Sequence, residues 1–127
     1  MKTIIIITED YVFYKLLELP INGTIKNCRT VQCKSYEELK KDKNLSKYDL
    51  VILDGVLSGV ASFEIVIHLR NEKKFLAPIY FISEVGVEYF RTKAFEAGIT
   101  EYFTKPFDPF SVTEKIAQIL RKSEKNL

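Results

Sequence analysis

Short β-branched runs alternate with longer amphipathic stretches along the whole chain. Thr3–Ile7 (TIIII) is a continuous apolar run, as expected of a strand buried on both faces. Tyr11–Leu19 has helical spacing and is predicted to stop at Pro20, and Asn22-Gly23 is a turn signal. Cys28–Cys33 reads as a second strand. Ser35 is placed to cap a helix that begins Tyr36-Glu37-Glu38-Leu39, with Glu38 at the capping-box position. Asp49–Asp54 (DLVILD) is a third strand whose apolar middle ends abruptly in a carboxylate. A loop at Gly55–Gly59 leads to a helix over roughly Ala61–Lys73, with Phe63, Val66 and Ile67 expected inward. Pro78–Ile82 is a fourth strand. Gly86–Ala97 is a helix closed by Gly98, and Glu101–Phe103 a short fifth strand. Pro109 opens the last helix, with an apolar stripe of Val112, Ile116, Ile119 and Leu120, and Lys122–Leu127 is a polar tail expected to fray. Strict alternation of five strands and five helices predicts an α/β fold: one doubly wound, five-stranded parallel sheet covered by helices.

Composition narrows the class. The 127 residues make one domain, and 46% hydrophobic with 28% charged residues is ordinary for a globular protein. The longest aliphatic run, Ile4–Ile7, falls far short of a membrane span and meets Glu9-Asp10 too soon for a signal peptide. A cytoplasmic location without membrane attachment is therefore expected. The net charge of +2 lacks a basic block, and lysine outnumbers arginine, so direct nucleic-acid binding is not implied. Cys28 and Cys33 lie five apart, on opposite faces of a strand. They read as two reduced packing cysteines, and with one histidine they cannot complete a structural zinc site.

Chemistry belongs at the carboxyl ends of the strands, where open parallel sheets bind their ligands. Thr8, Glu9 and Asp10 follow the first strand, and Asp54 ends the third. Ser83 and Glu84 follow the fourth, and Thr104, Lys105 and Pro106 the fifth. Acids, a hydroxyl and a lysine thus converge on one edge. His68 falls mid-helix, reads as an exposed helix residue and is given no role.

These features resemble the receiver domain of two-component response regulators, whose fold is the flavodoxin-like (βα)5 sheet, over nearly the whole chain. The anchors are ITED, YDLVILDGVLSG, APIYFIS and AFEAGITEYFTKPFDP, with their spacing. The resemblance implies that residues 1–127 form one receiver domain. Its phosphoacceptor would be Asp54, with Lys105 pairing with the phosphoryl group and Ser83 supplying a hydroxyl that moves to it. Tyr102 would be the switch aromatic. Mg²⁺ would be held by Glu9, Asp54 and the Val56 backbone carbonyl, with Asp10 as a further candidate acid. Lys105-Pro106 would be a cis peptide. The partners implied are a sensor histidine kinase or phosphotransfer protein. The domain would act as a switch, not as an enzyme that turns over a small molecule.

Three positions depart from the family pattern. Thr8 stands where the first acid of a pair is usual, Glu9 where aspartate is usual, and Glu84 where a small residue is usual. Thr8 points to weaker metal binding, and Glu84 would hinder the phosphodonor, repel the phosphoryl group or swing outward without effect. They also keep open a degenerate receiver, acting as an interaction module without phosphate. For Thr8 itself, an ordinary helix N-cap is the expected role. A flavodoxin-like cofactor binder would need a phosphate loop where TEDYVF stands acidic and bulky. Tyr89, Phe90 and Phe110, with Tyr102 between them, are expected to make the face of the fourth helix, fifth strand and fifth helix aromatic. That face would serve a homodimer or an output partner.

Overall fold

The computed structural model describes residues 1–57 and 62–125, with side chains through 122. Strands β1 (Lys2–Ile7), β2 (Cys28–Cys33), β3 (Leu50–Asp54), β4 (Ile79–Ser83) and β5 (Glu101–Thr104) form one sheet in the order β2-β1-β3-β4-β5. All four pairings are parallel. The order reverses between β1 and β3, so the loops after those strands flank a cleft at the sheet's carboxyl edge. Helices α1 (Tyr11–Thr24), α2 (Tyr36–Lys41), α3 (Ser62–Ile67), α4 (Glu88–Ala97) and α5 (Pro109–Lys125) complete the α/β alternation.

The period-2 pleat divides the core into two layers. Ile4, Ile6, Leu50, Ile52, Tyr80 and Ile82 face one way, against Phe13, Leu17 and Ile21 of α1 and Val112, Ile116 and Leu120 of α5. Ile5, Ile7, Val51, Leu53, Ile79 and Phe81 face the other, against Leu39, Ile65, Val66 and Ala94 of α2, α3 and α4. Each fully buried aliphatic side chain contributes about 1.5–3 kcal/mol, enough to fix which face of every strand looks which way. Cys33 lies in the second layer and Cys28 against the first; both are free, and burial raises both thiol pKa values.

The structure corrects several expected boundaries. α1 does not stop at Pro20 but carries it inside and runs to Thr24, through the Asn22-Gly23 signal. The proline costs one backbone bond, and burial of Leu17 and Ile21 on either side holds the helix together. At α2, Ser35 accepts from the Glu38 amide as expected, while the Glu38 carboxylate reaches back to the Lys34 amide. The long helix expected over Ala61–Lys73 is α-helical only over Ser62–Ile67 and widens to a π-helical turn at His68–Glu72. Its start at Ala61, like residues 58–59 of the preceding loop, lies outside the described residues. Ile67 is exposed rather than inward, and Ile65 takes the core position beside Val66. His68 is not exposed on this turn: its ring packs edge-on to Tyr36, Nδ1 meets Glu72 at 2.8 Å, and Nε2 is buried with no hydrogen-bond partner among the described residues. The tail expected from Lys122 is helical as far as Lys125.

The π-turn has a use in the packing. It aims Arg70 inward, where the guanidinium donates to the carbonyls of Gly98 (2.9 Å), Phe75 (2.8 Å) and Ala77 (2.7 Å). One side chain thus ties the end of α4 to the segment entering β4. Burial pulls its pKa below the ordinary arginine value. Gly98 caps α4 with φ +119°, and a Cβ there would stand 2.8 Å from Arg70 Cγ. Replacing Arg70 with methionine keeps the packing volume but strips three carbonyls of their donor. Arg70→Met is expected to lower unfolding stability by about 3 kcal/mol, read as a lower urea midpoint with an unchanged slope.

Candidate functional site

Strand register builds the site. Asp54 pairs with Ile82, so Ser83 lies one residue further along the edge; Ser83 pairs with Thr104, so Lys105 follows next. The ladder continues into the loops, with Gly55 donating its N–H to the Ile82 carbonyl and Lys105 its N–H to the Ser83 carbonyl, both at 2.7 Å. Gly55 passes so close that a Cβ there would sit 3.0 Å from the Ile82 carbonyl oxygen and 3.2 Å from Ser83 Cβ. A side chain at this position would be tight against the end of β4, which would have to give way slightly.

The pleat then sorts the functional groups between two faces. Thr8, Asp54 and Lys105 share the parity of Ile6, Ile52 and Phe103 and so reach the α1/α5 side. Asp54 is 2% exposed. Its Oδ1 accepts from Lys105 Nζ at 2.8 Å and from the Val56 amide at 3.2 Å, while Oδ2 accepts from the Thr8 hydroxyl at 2.7 Å. Lys105 precedes Pro106 across a cis peptide bond, and its ammonium lies 4.9 Å from the Phe13 ring centroid. Phe13 in turn packs edge-on to Phe107. The cation is therefore held by α1 as well as by its own loop.

Ser83 and Tyr102 share the opposite parity, with Phe81. Ser83 Oγ accepts from the Val85 amide at 3.1 Å, and the Tyr102 hydroxyl donates to the Val85 carbonyl. Val85 thus links the two side chains through its own peptide groups. Tyr102 is buried against Phe81, with the Arg91 guanidinium 5.7 Å from its ring centroid.

The acids behave differently from one another. Asp10, not Thr8, caps α1, its Oδ1 accepting from the amides of Val12 and Phe13 at 2.9 and 3.4 Å. The expected capping role of Thr8 is thereby overturned: its side chain is turned inward to Asp54 and fully buried. Glu9 is exposed at the rim of the same edge. Glu84 is exposed and lines a shallow cleft of about 320 Å³ with Asp10, Phe13, Lys105 and Phe107. Among the described residues no group of three or more His, Cys, Asp or Glu converges to hold a metal. Magnesium needs less than that, since one or two carboxylates and several waters serve it. Among the described residues Asp54 Oδ2 accepts from Thr8 alone, and the Asp54 carboxylate, the Glu9 carboxylate and the Val56 carbonyl are oxygen donors of the kind that ion takes.

The single aromatic face expected on α4, β5 and α5 is divided. Tyr102 is interior. Phe90 leans on Phe63 of α3 (5.9 Å between centroids) and meets Tyr89 edge-on; these two remain exposed. Phe110 is exposed elsewhere, in an apolar groove with Tyr11, Leu16 and Leu19 of α1. It sits two residues before Val112, on the opposite side of the helix from the core stripe, where the groove between α5 and α1 opens.

Thr8 is the site residue that sequence reasoning misjudged. Its parity with Ile4 and Ile6 was the available signal, since a hydroxyl at the buried end of an apolar strand needs a partner.

Comparison with known proteins agrees with this geometry. A sequence profile for the response regulator receiver domain matches residues 4–117. The alkaline phosphatase synthesis transcriptional regulatory protein PhoP of Bacillus subtilis is 28% identical over 123 residues, covering 97% of this chain and 50% of that protein. The response regulator ArlR of Staphylococcus epidermidis is 31% identical over 123 residues, covering 96% of this chain and 54% of that protein. The chain thus spans about half the length of the curated relatives it matches. Among solved structures, the BeF3-activated receiver domain of DrrB superposes with a TM-score of 0.83 at 21% identity, covering 95% of this chain and 98% of that one. At that identity the likeness speaks for the fold.

The Asp54–Lys105 pair carries its own stability consequence. Removing the cation leaves a nearly buried carboxylate without its charge partner. Lys105→Met is expected to cost about 2 kcal/mol at neutral pH, and Lys105→Met combined with Asp54→Asn to recover most of that. Urea denaturation of the three variants checks the cycle.

Proposed function

The chain belongs to the response regulator receiver domain family, and from that premise we propose that it stores a signal as a phosphoryl group on Asp54. The observation that carries this reading is the 2.8 Å pairing of Lys105 Nζ with the buried Asp54 carboxylate at the sheet's carboxyl edge. In phosphoryl transfer, an Asp54 oxygen forms a bond to phosphorus. The bond from phosphorus to the donor breaks, and the leaving group takes the electron pair. Lys105 balances the negative charge, and Ser83 is the hydroxyl that turns to the new phosphoryl oxygens.

Receiver domains generally work with Mg²⁺, and Glu9, Asp54 and the Val56 carbonyl would hold it here, with Asp10 as a further acid. Bound, the ion neutralises charge on the phosphoryl oxygens. The donor would be a sensor histidine kinase or phosphotransfer protein in the cytoplasm, in keeping with the lack of any helix, among the described residues, long and apolar enough to cross a membrane. The chain acts as a switch, and we read 1–127 as one receiver domain. When Ser83 leaves the Val85 amide, the Tyr102 contact at the other end of the same residue, the Val85 carbonyl, is disturbed. The change passes to the edge that carries Tyr89 and Phe90, offered to a second copy or an output partner. Phe110 offers a separate apolar contact beside α1. The second reading, a degenerate receiver working without phosphate, is favoured by Thr8 standing on Asp54 and by Glu84 at the mouth of the cleft.

Incubation with acetyl phosphate and Mg²⁺, followed by intact mass, decides between them. The parent protein should gain one phosphoryl group and Asp54→Asn none. A parent protein that never gains it supports the degenerate reading. The metal gives a separate expectation. Thr8→Asp should bind Mg²⁺ about tenfold more tightly, because another carboxylate joins the field at Asp54. Without Mg²⁺ it should be less stable than the parent. Metal titration and melting of the same samples measure both.

A further inference from the structure

Thr8 is held at every polar atom. Its amide donates to the Cys33 carbonyl at 2.9 Å, and its carbonyl accepts from Gln32 Nε2 at 3.1 Å. Its hydroxyl accepts from the Asp10 amide at 3.1 Å. A hydroxyl has one proton, and the Asp10 amide supplies its own, so the Thr8 proton is directed onto Asp54 Oδ2 at 2.7 Å. No part of the side chain meets solvent. The two Asp54 oxygens are thereby made unequal. Among the described residues, Oδ1 carries two donors, Lys105 and the Val56 amide, whereas Oδ2 carries Thr8 alone.

We infer that Thr8 is a positioning residue that selects Oδ2 as the attacking oxygen and biases Asp54 toward its unphosphorylated form. The inference rests on the phosphoacceptor reading above. In the forward step the Oδ2 lone pair forms the bond to phosphorus, and the donor's leaving group departs with its electron pair. Oδ1 becomes the carbonyl oxygen of the acyl phosphate, still facing Lys105. Oδ2 becomes a bridging oxygen, a much poorer acceptor than a carboxylate oxygen. The Thr8 hydrogen bond is strong before transfer and weak after it, because bonds to charged acceptors are the strong ones. In the reverse step the water oxygen bonds to phosphorus, the Oδ2–P bond breaks, the electron pair returns to Oδ2, and the released phosphate keeps both water protons. The Thr8 proton is already aimed at Oδ2. An interaction that strengthens as the carboxylate leaves speeds that departure. Thr8 is thus a built-in brake on the lifetime of the signal.

Three variants test this. Thr8→Val fills the same volume without a donor, Thr8→Ala removes the donor and opens space, and Thr8→Ser keeps the hydroxyl. Each is checked for folding by circular dichroism. Phosphorylated with acetyl phosphate at one fixed Mg²⁺ concentration and then freed of donor, Thr8→Val and Thr8→Ala should hold the phosphoryl group about tenfold longer than the parent. Thr8→Ser should decay as the parent does. A second measurement needs no phosphoryl group. The Asp54 ¹³Cγ resonance should move in Thr8→Val and Thr8→Ala and return in Thr8→Ser. Equal lifetimes in parent and Thr8→Val would overturn the inference, as would an unmoved resonance. If the parent takes no phosphoryl group while the resonances follow the hydroxyl, the phosphoacceptor reading fails, and Thr8 is a structural clamp with no role in lifetime.

Discussion

A single carboxylate charge sits at the end of an almost wholly apolar strand, and the edge of the sheet is organised around keeping it there. Leaving such a charge without partners would cost several kcal/mol, so it must be met from several directions. Lys105 comes from the β5 loop, Thr8 from the end of β1, and the Val56 amide from the turn that follows Asp54 itself. Three separate segments therefore have to arrive in register before the charge is tolerable. Phe13 and Phe107 extend the requirement to α1 and to the start of the last crossover, because they shelter the lysine.

The parallel ladder makes this convergence rigid. Asp54, Ser83 and Lys105 sit one step apart on successive strands, and the hydrogen bonds of Gly55 and Lys105 carry the ladder past the last strand residues. Gly55 is needed because the backbone passes so close to β4. Alternation along the strands then separates two tasks. The α1/α5 side receives the charge, its cation and its hydroxyl donor. The α4 side receives Ser83 and Tyr102, joined through the two ends of the Val85 residue. Ser83 lies between the charge on one face and Tyr102 on the other, and it shares Val85 with Tyr102.

Far from that edge, Arg70 solves a different polar problem. The π-turn gives up regular helix geometry, and the guanidinium it turns inward satisfies three carbonyls at the junction of α3, α4 and β4. Burial of the cation is tolerable because its donors are used on carbonyls that would otherwise lie unpaired. This junction supports the α4 side of the sheet, where Tyr89, Phe90 and Tyr102 lie.

Five apolar strand runs alternating with amphipathic segments sufficed for the fold class, and the spacing of Asp54, Ser83 and Lys105 for their convergence on one edge of the sheet. Each of those features is local: a period of two or 3.6, a cap, a residue just past a strand. Ser35 and Gly98 marked helix ends for the same reason. Features that depend on two distant segments were not legible. Pro20 is a helix stop by local rules, yet burial of Leu17 and Ile21 carries α1 past it. Phe110 was expected beside Tyr89, and the rotation of α5 against α1 puts it in another groove. The widening of α3 came from what Arg70 meets across the fold. Most tellingly, Thr8 reads as a cap by its residue type and place before a helix. Only the β1–β3 pairing, which lays the two strand ends side by side, makes its hydroxyl a partner of Asp54. Local periodicity settles which elements form, whereas a hydrogen bond across 46 residues exists only once the sheet has brought its ends together.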